Sequence, residues 1–357
     1  MQRSKWFLML LLTAALLACA FTCGCYFGGG NDDDNDQSTD DDSTDDDSGD
    51  DDSADDDSSP DDDDTSPAWS AMTSGATANL NGVWGTSAAD VFAVGQYGAI
   101  LHYDGAAWTL MTSGTTMDLY GVWGSSSTDV FAGGGFQEDQ GDYVQGVILH
   151  YDGTAWSTMA AGADTEWLGF WGSSATDVFA AGFLAHYSGV MLHYDGAAWS
   201  TMETPLMAVL YGVWGTSATD VFAVGTGADQ ISGVLLHYDG SAWTAMAGPS
   251  TGTLTSVWGG SSADVFAVGV NAAILRYDGS TWTLMTSGAS ADLRGVWGSS
   301  ATDVFAVGGN GIIVHYNGAA WSAMDGGGPT NLAGIWGSSP MDVFAVGEGG
   351  TILHYGL

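Results

Sequence analysis

The sequence predicts an all-β fold, a seven-bladed β-propeller of four-stranded antiparallel blades, over residues 67–357. Three observations predict it. A unit with a period near 40 residues recurs down the chain. Each unit holds four short β-rich runs. The run missing from the last unit stands alone ahead of the first.

One unit shows the pattern. Leu80-Asn81-Gly82-Val83-Trp84-Gly85 is followed by Asp90-Val91-Phe92-Ala93-Val94-Gly95, then by Ile100-Leu101-His102-Tyr103-Asp104-Gly105, then by Trp108 to Met111. The first Trp recurs at Trp84, Trp123, Trp171, Trp214, Trp258, Trp297 and Trp336, and the second block at Asp90, Asp129, Asp177, Asp220, Asp264, Asp303 and Asp342. Gly, Ser, Asp and Asn bound each run, so the runs read as strands a to d of a blade. Val-Phe-Ala-Val and Ile-Leu-His-Tyr lack the polar alternation of a one-faced strand, so both faces of a blade must be covered.

An open stack of such blades would need polar caps, and no cap sequence exists. Strand d supplies the closure. Six copies carry its Trp inside the repeats, at Trp108, Trp156, Trp199, Trp243, Trp282 and Trp321, while the last unit stops at His354-Tyr355-Gly356-Leu357. Trp69-Ser70-Ala71-Met72 matches Trp108-Thr109-Leu110-Met111, so the N-terminal strand is expected to complete the last blade and remove its open edge.

The repeated polar residues read as structural. The Asp after Ser-Ser-Ala-Thr is expected to accept backbone N–H groups in the a–b turn. The Asp of Tyr-Asp-Gly is expected to form the c–d turn, a role that Asn317 also fits. His102, His150, His193, His237, His315 and His354 share one strand-c position with Arg276. In neighbouring blades that position recurs roughly 15 Å apart, too far for a shared zinc, so the His are expected to serve inter-blade packing and hydrogen bonding. No metal and no cofactor are expected.

Val-Trp-Gly-Ser-Ser-x-x-Asp-Val-Phe-Ala-Val-Gly, followed by Ile-Leu-His-Tyr-Asp-Gly-x-x-Trp, resembles the repeats of bacterial extracellular propeller lipoproteins grouped with BNR or YVTN-like propellers. The resemblance spans residues 67–357 and implies the fold, not an activity. Asp-Gly-x-x-Trp differs by one residue from the Asp-box of sialidases. Those enzymes resemble one another in a cluster of three Arg, and this domain has only Arg276 and Arg294.

The segment ahead of the repeats divides in two. Residues 1–19 read as a lipoprotein signal peptide, with Arg3 and Lys5 before the apolar run Trp6 to Leu17. Leu16-Leu17-Ala18-Cys19 resembles a lipobox, in which Cys19 is acylated and becomes the mature N-terminus. Residues 20–66 read as a disordered Asp-rich tether, with 20 acidic residues between Asp32 and Asp64. The EF-hand pattern of alternating ligands with a sixth-position Gly is absent from it. The protein is therefore expected in the bacterial cell envelope, lipid-anchored at the outer membrane or cell surface.

Of 43 acidic residues, 23 fall within residues 67–357 beside two Arg, a formal charge of −21. Such a surface repels phosphate backbones, which excludes nucleic acid as a partner. A protein or polysaccharide ligand remains, with the domain expected to be monomeric.

Antiparallel strands put the near-invariant a–b and c–d turns on one face and the variable d–a and b–c connections on the other, where function is expected. Long b–c connections mark blades 2, 3 and 4, bringing Glu138, Asp142 and Tyr143, then Phe183, His186 and Tyr187, then Asp229. The d–a connections add Asp164, Glu166 and Trp167. Tyr120 and Tyr211 belong to a variable ring at the mouth of strand a, with Asn81, Leu168, Thr255, Arg294 and Ala333. No catalytic constellation is found. A surface-displayed binding or scaffolding module is the leading expectation. A glycan-active hydrolase or lyase using carboxylates such as Glu138, Asp142, Asp164 and Glu166 is the alternative, and an envelope assembly factor a third.

The lipobox reading is tested at Cys19. Cys19→Ala is expected to release the protein from membranes or to leave its signal uncleaved, seen by fractionation and mass spectrometry of the N-terminus. Normal maturation with unchanged membrane association rules the anchor out.

Overall fold

The computed structural model describes residues 66–137, 144–163, 165–184, 188–326 and 328–357, with no side-chain description for 137, 144 and 161–163. The expected signal peptide, Cys19 and the Asp-rich tether lie outside the described residues.

The fold is a ring of seven four-stranded antiparallel sheets. Blade 1 consists of Leu80–Ser87, Asp90–Gly95, Ile100–Tyr103 and Trp108–Met111 as strands a to d. The a strands of blades 2 to 7 are Asp118–Ser126, Thr165–Ser174, Ala208–Ser217, Leu254–Ser261, Leu293–Ser300 and Leu332–Ser339. Each packs on the a strand of the next blade, and that of blade 7 on that of blade 1, so a is the innermost strand and the ring is closed. Ala68–Met72 is strand d of blade 7, pairing from Ala68 with Gly356 to Met72 with Ile352.

There is no central core. Strand b has an apolar residue on each side of its sheet, so apolar side chains are divided among the seven blade–blade interfaces. At the first interface Phe92, Val94 and Ile100 of blade 1 meet Leu119, Val122, Val130, Ala132 and Trp156 of blade 2. On the other face of blade 1, Val91, Ala93 and Leu101 meet Phe344, Val346 and Ile352 of blade 7. The strand-d Trp of each blade meets the strand-b Phe of its neighbour edge-on, as Trp156 does Phe92 with centroids 6.3 Å apart. Trp69 does the same to Phe305 at 6.4 Å, so the N-terminal strand reproduces the contact as well as the pairing.

Trp-Gly in strand a has a direct cause. A Cβ on Gly124 would stand 2.6 Å from the ring of Trp84, and Gly85, Gly172, Gly215, Gly259, Gly298 and Gly337 meet the preceding blade's Trp in the same way. Each strand-a Trp therefore lies across the glycine of the next blade.

The repeat Asp has other partners than the sequence suggested. Asp90 accepts from the Thr86 hydroxyl at 2.5 Å and from His102 Nε2 at 2.7 Å, while the turn's backbone N–H at Ala89 goes to the Ser87 hydroxyl. The same hydroxyl–Asp–His chain recurs at Ser125, Asp129 and His150, and in blades 3, 4, 6 and 7. The His thus bonds within its own blade, against the expected bond between blades, and its ring lies on the blade's own Phe, 4.5 Å between centroids for His102 and Phe92. Blade 5 changes both ends: Gly260 replaces the hydroxyl, and Arg276 replaces the His, donating to Asp264 from Nε and Nη2. The c–d turn follows expectation, with Asp104 accepting from the backbone of Ala106 and Ala107.

Closure can be measured by truncation. A chain beginning at residue 67 is expected to fold, whereas one beginning at residue 74 loses Trp69 and Met72. Burial of such side chains contributes roughly 1.5–3 kcal/mol each, so the shorter chain should melt several degrees lower in calorimetry. Equal melting temperatures would contradict the closure.

Candidate functional site

The b–c and d–a connections share one face, and on it the blades fall into two kinds. In blades 1, 5, 6 and 7 the b–c connection is a short turn with left-handed residues, such as Tyr97 at φ 59° and Asn310 at φ 55°. The next blade holds that turn by one side chain two residues before its strand-a bulge. Asp118 accepts from Tyr97 N at 2.8 Å, Asp292 from Asn271 N, Asn331 from Asn310 N, and Asn79 from Gly349 N. In the other three blades this position is Glu166, Val209 and Thr253, and each follows a blade with a long b–c connection. Among the described residues the clasp is thus not seen at three consecutive interfaces, from blade 2 to blade 5.

The long connections of blades 2 and 3 are largely extended strands. In blade 2 strands b and c run over Asp129–Gln137 and Val144–Tyr151; in blade 3 strand b runs over Asp177–Leu184. Trp167 and Phe183, expected as loop aromatics, therefore lie inside strands and are buried, at 3% and 6% exposure. At Trp167 glycines of blade 2 make the room. A Cβ on Gly133 would stand 2.3 Å from Phe170, one on Gly146 3.0 Å from Trp167 Nε1, and one on Gly135 3.0 Å from Glu166 Cγ. Blade 2 lacks side chains where blade 3 brings large ones, and Trp167 and Phe170 fill the space.

Glu166 is buried beside these rings at 6% exposure. Tyr120 hydrogen-bonds with it, and Asp118 is the next charge. Burial, against the Tyr120 hydrogen bond and with help from Asp118, pushes Glu166 up to about 7. Burial and the two carboxylates also push the Tyr120 hydroxyl well above its usual range. Tyr120 and Tyr211 are half-buried at bulges of strand a, as are Asn81, Leu168, Thr255, Arg294 and Ala333. Asn81 Nδ2 and the Thr255 hydroxyl donate to the Leu119 and Leu293 carbonyls of the next blade, so part of this ring is structural. Burial lowers Arg294, whose Nε has no hydrogen-bond partner among the described residues.

Asp229 organises its own loop, accepting from Ile231 N at 3.0 Å and from the backbone and hydroxyl of Ser232. These bonds hold its carboxyl at about 2. Glu138, Asp142, Tyr143, Asp164, His186 and Tyr187 lie outside the described residues.

The exposed apolar side chains on this face went unseen in the sequence. They are Tyr97 at 62%, Phe136 at 38%, Leu206 at 41%, Met207 at 67% and Ile231 at 72%. They follow an arc from the b–c turn of blade 1 to the b–c connection of blade 4. An alignment of the seven repeats carries the signal, because Tyr97 occupies a left-handed position where other blades have Asn or Gly. An open groove of about 670 Å³ lies beyond the arc at blade 5, lined by Thr251, Asn271, Met285 and Ser287 among others, without an ionisable group.

Glu166 makes a measurable pH dependence. Its folded value is raised, so between about 4.5 and about 7 the folded chain keeps a proton that the unfolded chain loses. Stability therefore falls as pH rises through that window. Glu166→Gln is expected to be more stable than the parent above pH 7, by roughly 1–3 kcal/mol in urea melts, and equal to it below the window. A pH-independent difference would show that Glu166 is not the titrating group.

No protein-family model and no curated protein sequence matches the chain. Among solved structures it is similar to YCF48 bound to D1 peptide, with TM-score 0.64 and 15% identity over 81% of this chain and 97% of that one. YCF48 from Cyanidioschyzon merolae gives TM-score 0.62 and 14% identity over 81% and 99%. The WD40 propeller domain of Doa1 gives TM-score 0.62 and 10% identity over 80% and 95%. At these identities the likeness carries the fold, and the chain is a seven-bladed propeller with WD40-like neighbours.

Proposed function

We propose that the propeller is a binding module that takes a protein or peptide on the face bearing the b–c and d–a connections, over blades 1 to 4. The exposed arc of Tyr97, Phe136, Leu206, Met207 and Ile231 carries the reading. Binding faces rest on a few large apolar side chains within a polar rim. The opposite face, with seven copies of two tight turns, exposes Met341 and, at the end of the last strand, Leu357 as its large apolar side chains among the described residues. One similar structure is described as YCF48 bound to a peptide, which supports a peptide-sized ligand on such a scaffold. The lipoprotein resemblance supports a module at the cell envelope, held there by a lipid on Cys19 if that residue is acylated, on a tether of at most on the order of 120 Å.

A glycan-active hydrolase is the weaker reading. Of its four candidate carboxylates only Glu166 is among the described residues, and its side chain is buried against Gly135 of blade 2. An assembly role remains compatible with binding.

The face is tested by site-specific photocrosslinking in the native cell envelope. A benzophenone side chain at Met207 or Ile231 is expected to yield a discrete protein adduct, and the same group at Met341 none. Adducts from Met341 alone would put the ligand on the turn face.

A further inference from the structure

Charge decides which protein segment suits this face. Residues 67–357 contain no Lys, and their cations are Arg276 and Arg294. Arg276 is held by Asp264 in the outer part of blade 5. Arg294 is half-buried, with Glu348 and Asp292 as its nearest charges. Neither stands on the arc. What stands there beside the apolar side chains is carboxylate. Tyr97 N donates to Asp118. Phe136 follows Gly135, which pairs with Asp118. Exposed Glu203 precedes Leu206 and Met207, and exposed Asp229 precedes Ile231 in the turn it organises. Apolar and anionic groups thus alternate along the arc.

Resting on the binding reading above, we infer that the occupant is a basic, apolar-anchored segment of another protein, in which Lys or Arg alternate with large apolar residues. Each apolar side chain covers one of the exposed five, and each cation meets a carboxylate whose field is not offset by any surface Lys or Arg. Tyr97, at 62% exposure, also offers its ring to a guanidinium or ammonium group. An acidic occupant is repelled.

The test uses three labelled synthetic peptides of about 12 residues. One alternates Lys with Leu and Phe, one has Glu for each Lys, and one has Ser for each Leu and Phe. The protein variant is Asp118→Asn/Glu203→Gln/Asp229→Asn. At Asp118 it conserves the clasp, since Asn79 and Asn331 already hold turns at that position, and at Asp229 an Asn Oδ1 can still accept from Ile231 N and Ser232 N. The Lys–Leu–Phe peptide is expected to bind the parent, and to weaken at least about tenfold in the triple variant and between about 50 and 300 mM salt. The other two peptides should bind at least about tenfold more weakly. Equal binding of the Glu peptide, unchanged affinity of the triple variant, or no binding by any peptide overturns the inference. The binding reading fails separately, if Tyr97→Ala/Met207→Ser/Ile231→Ser leaves the affinity of a bound peptide unchanged, or if the photocrosslinks come from Met341.

Discussion

Everything in this fold follows from a strand that has no solvent face. Val91 and Ala93 turn to one neighbour, and Phe92 and Val94 to the other; each is at most 1% exposed. A sheet built on such a strand has no stable edge-on existence in water, because either bare face leaves a row of apolar side chains exposed. The only arrangement that covers every copy is a ring. The glycines of strand a serve that ring, for the Trp of each blade needs an uncluttered backbone to lie on in the next. The closing strand repeats its siblings' packing for the same reason, with Trp69 8% exposed, like Trp108 and Trp156.

Polar groups then fix the register within each blade. The hydroxyl–Asp–His chain joins the start of strand b to the a–b turn and to strand c, half-buried at the outer side of the Phe. Blade 5 shows that the carboxylate is what the structure requires. Where Gly260 removes the hydroxyl, Arg276 brings two N–H donors and a full charge to Asp264, and its guanidinium lies 5.6 Å from the Phe266 ring centre. A buried or half-buried Asp without donors would be costly, so loss at one end is matched by gain at the other.

The fold was legible because seven copies of one unit average away local ambiguity. The count of strand-d Trp residues gave the closure without any geometry. Side-chain partners were less legible. From the sequence, Asp90 could bond the nearby turn as well as a His twelve residues away, and only the pairing of Phe92 with His102 brings that His over Asp90. Trp167 and Phe183 misled for a different reason. An insertion between strands reads as a loop, but it can equally lengthen the two strands it separates. Gly133-Gly134-Gly135 was the available clue, since three missing side chains in an otherwise apolar strand call for large ones opposite. Glu166 was expected as a loop acid, whereas the structure buries it in strand a, bonded to Tyr120.

The grouping of unusual blades is itself a consequence of how the clasp is built. Its acceptor belongs to one blade and its donor to the blade before. Where the b–c connection of blade 2 is lengthened, position 166 of blade 3 is Glu166, which bonds Tyr120 instead of clasping a short turn. The long connections of blades 3 and 4 are likewise followed by Val209 and Thr253 at that position. A change in one blade therefore relaxes the constraint on its successor, and differences accumulate at neighbouring interfaces. A ring of equal blades acquires in this way one distinct sector and keeps the rest as frame. The frame still reaches into the sector at Asp118, which clasps Tyr97 on one side and adds its charge beside Glu166 on the other. That residue stands where the regular interfaces end and the divergent ones begin, and an aromatic side chain in the turn it holds becomes the first exposed anchor of the face.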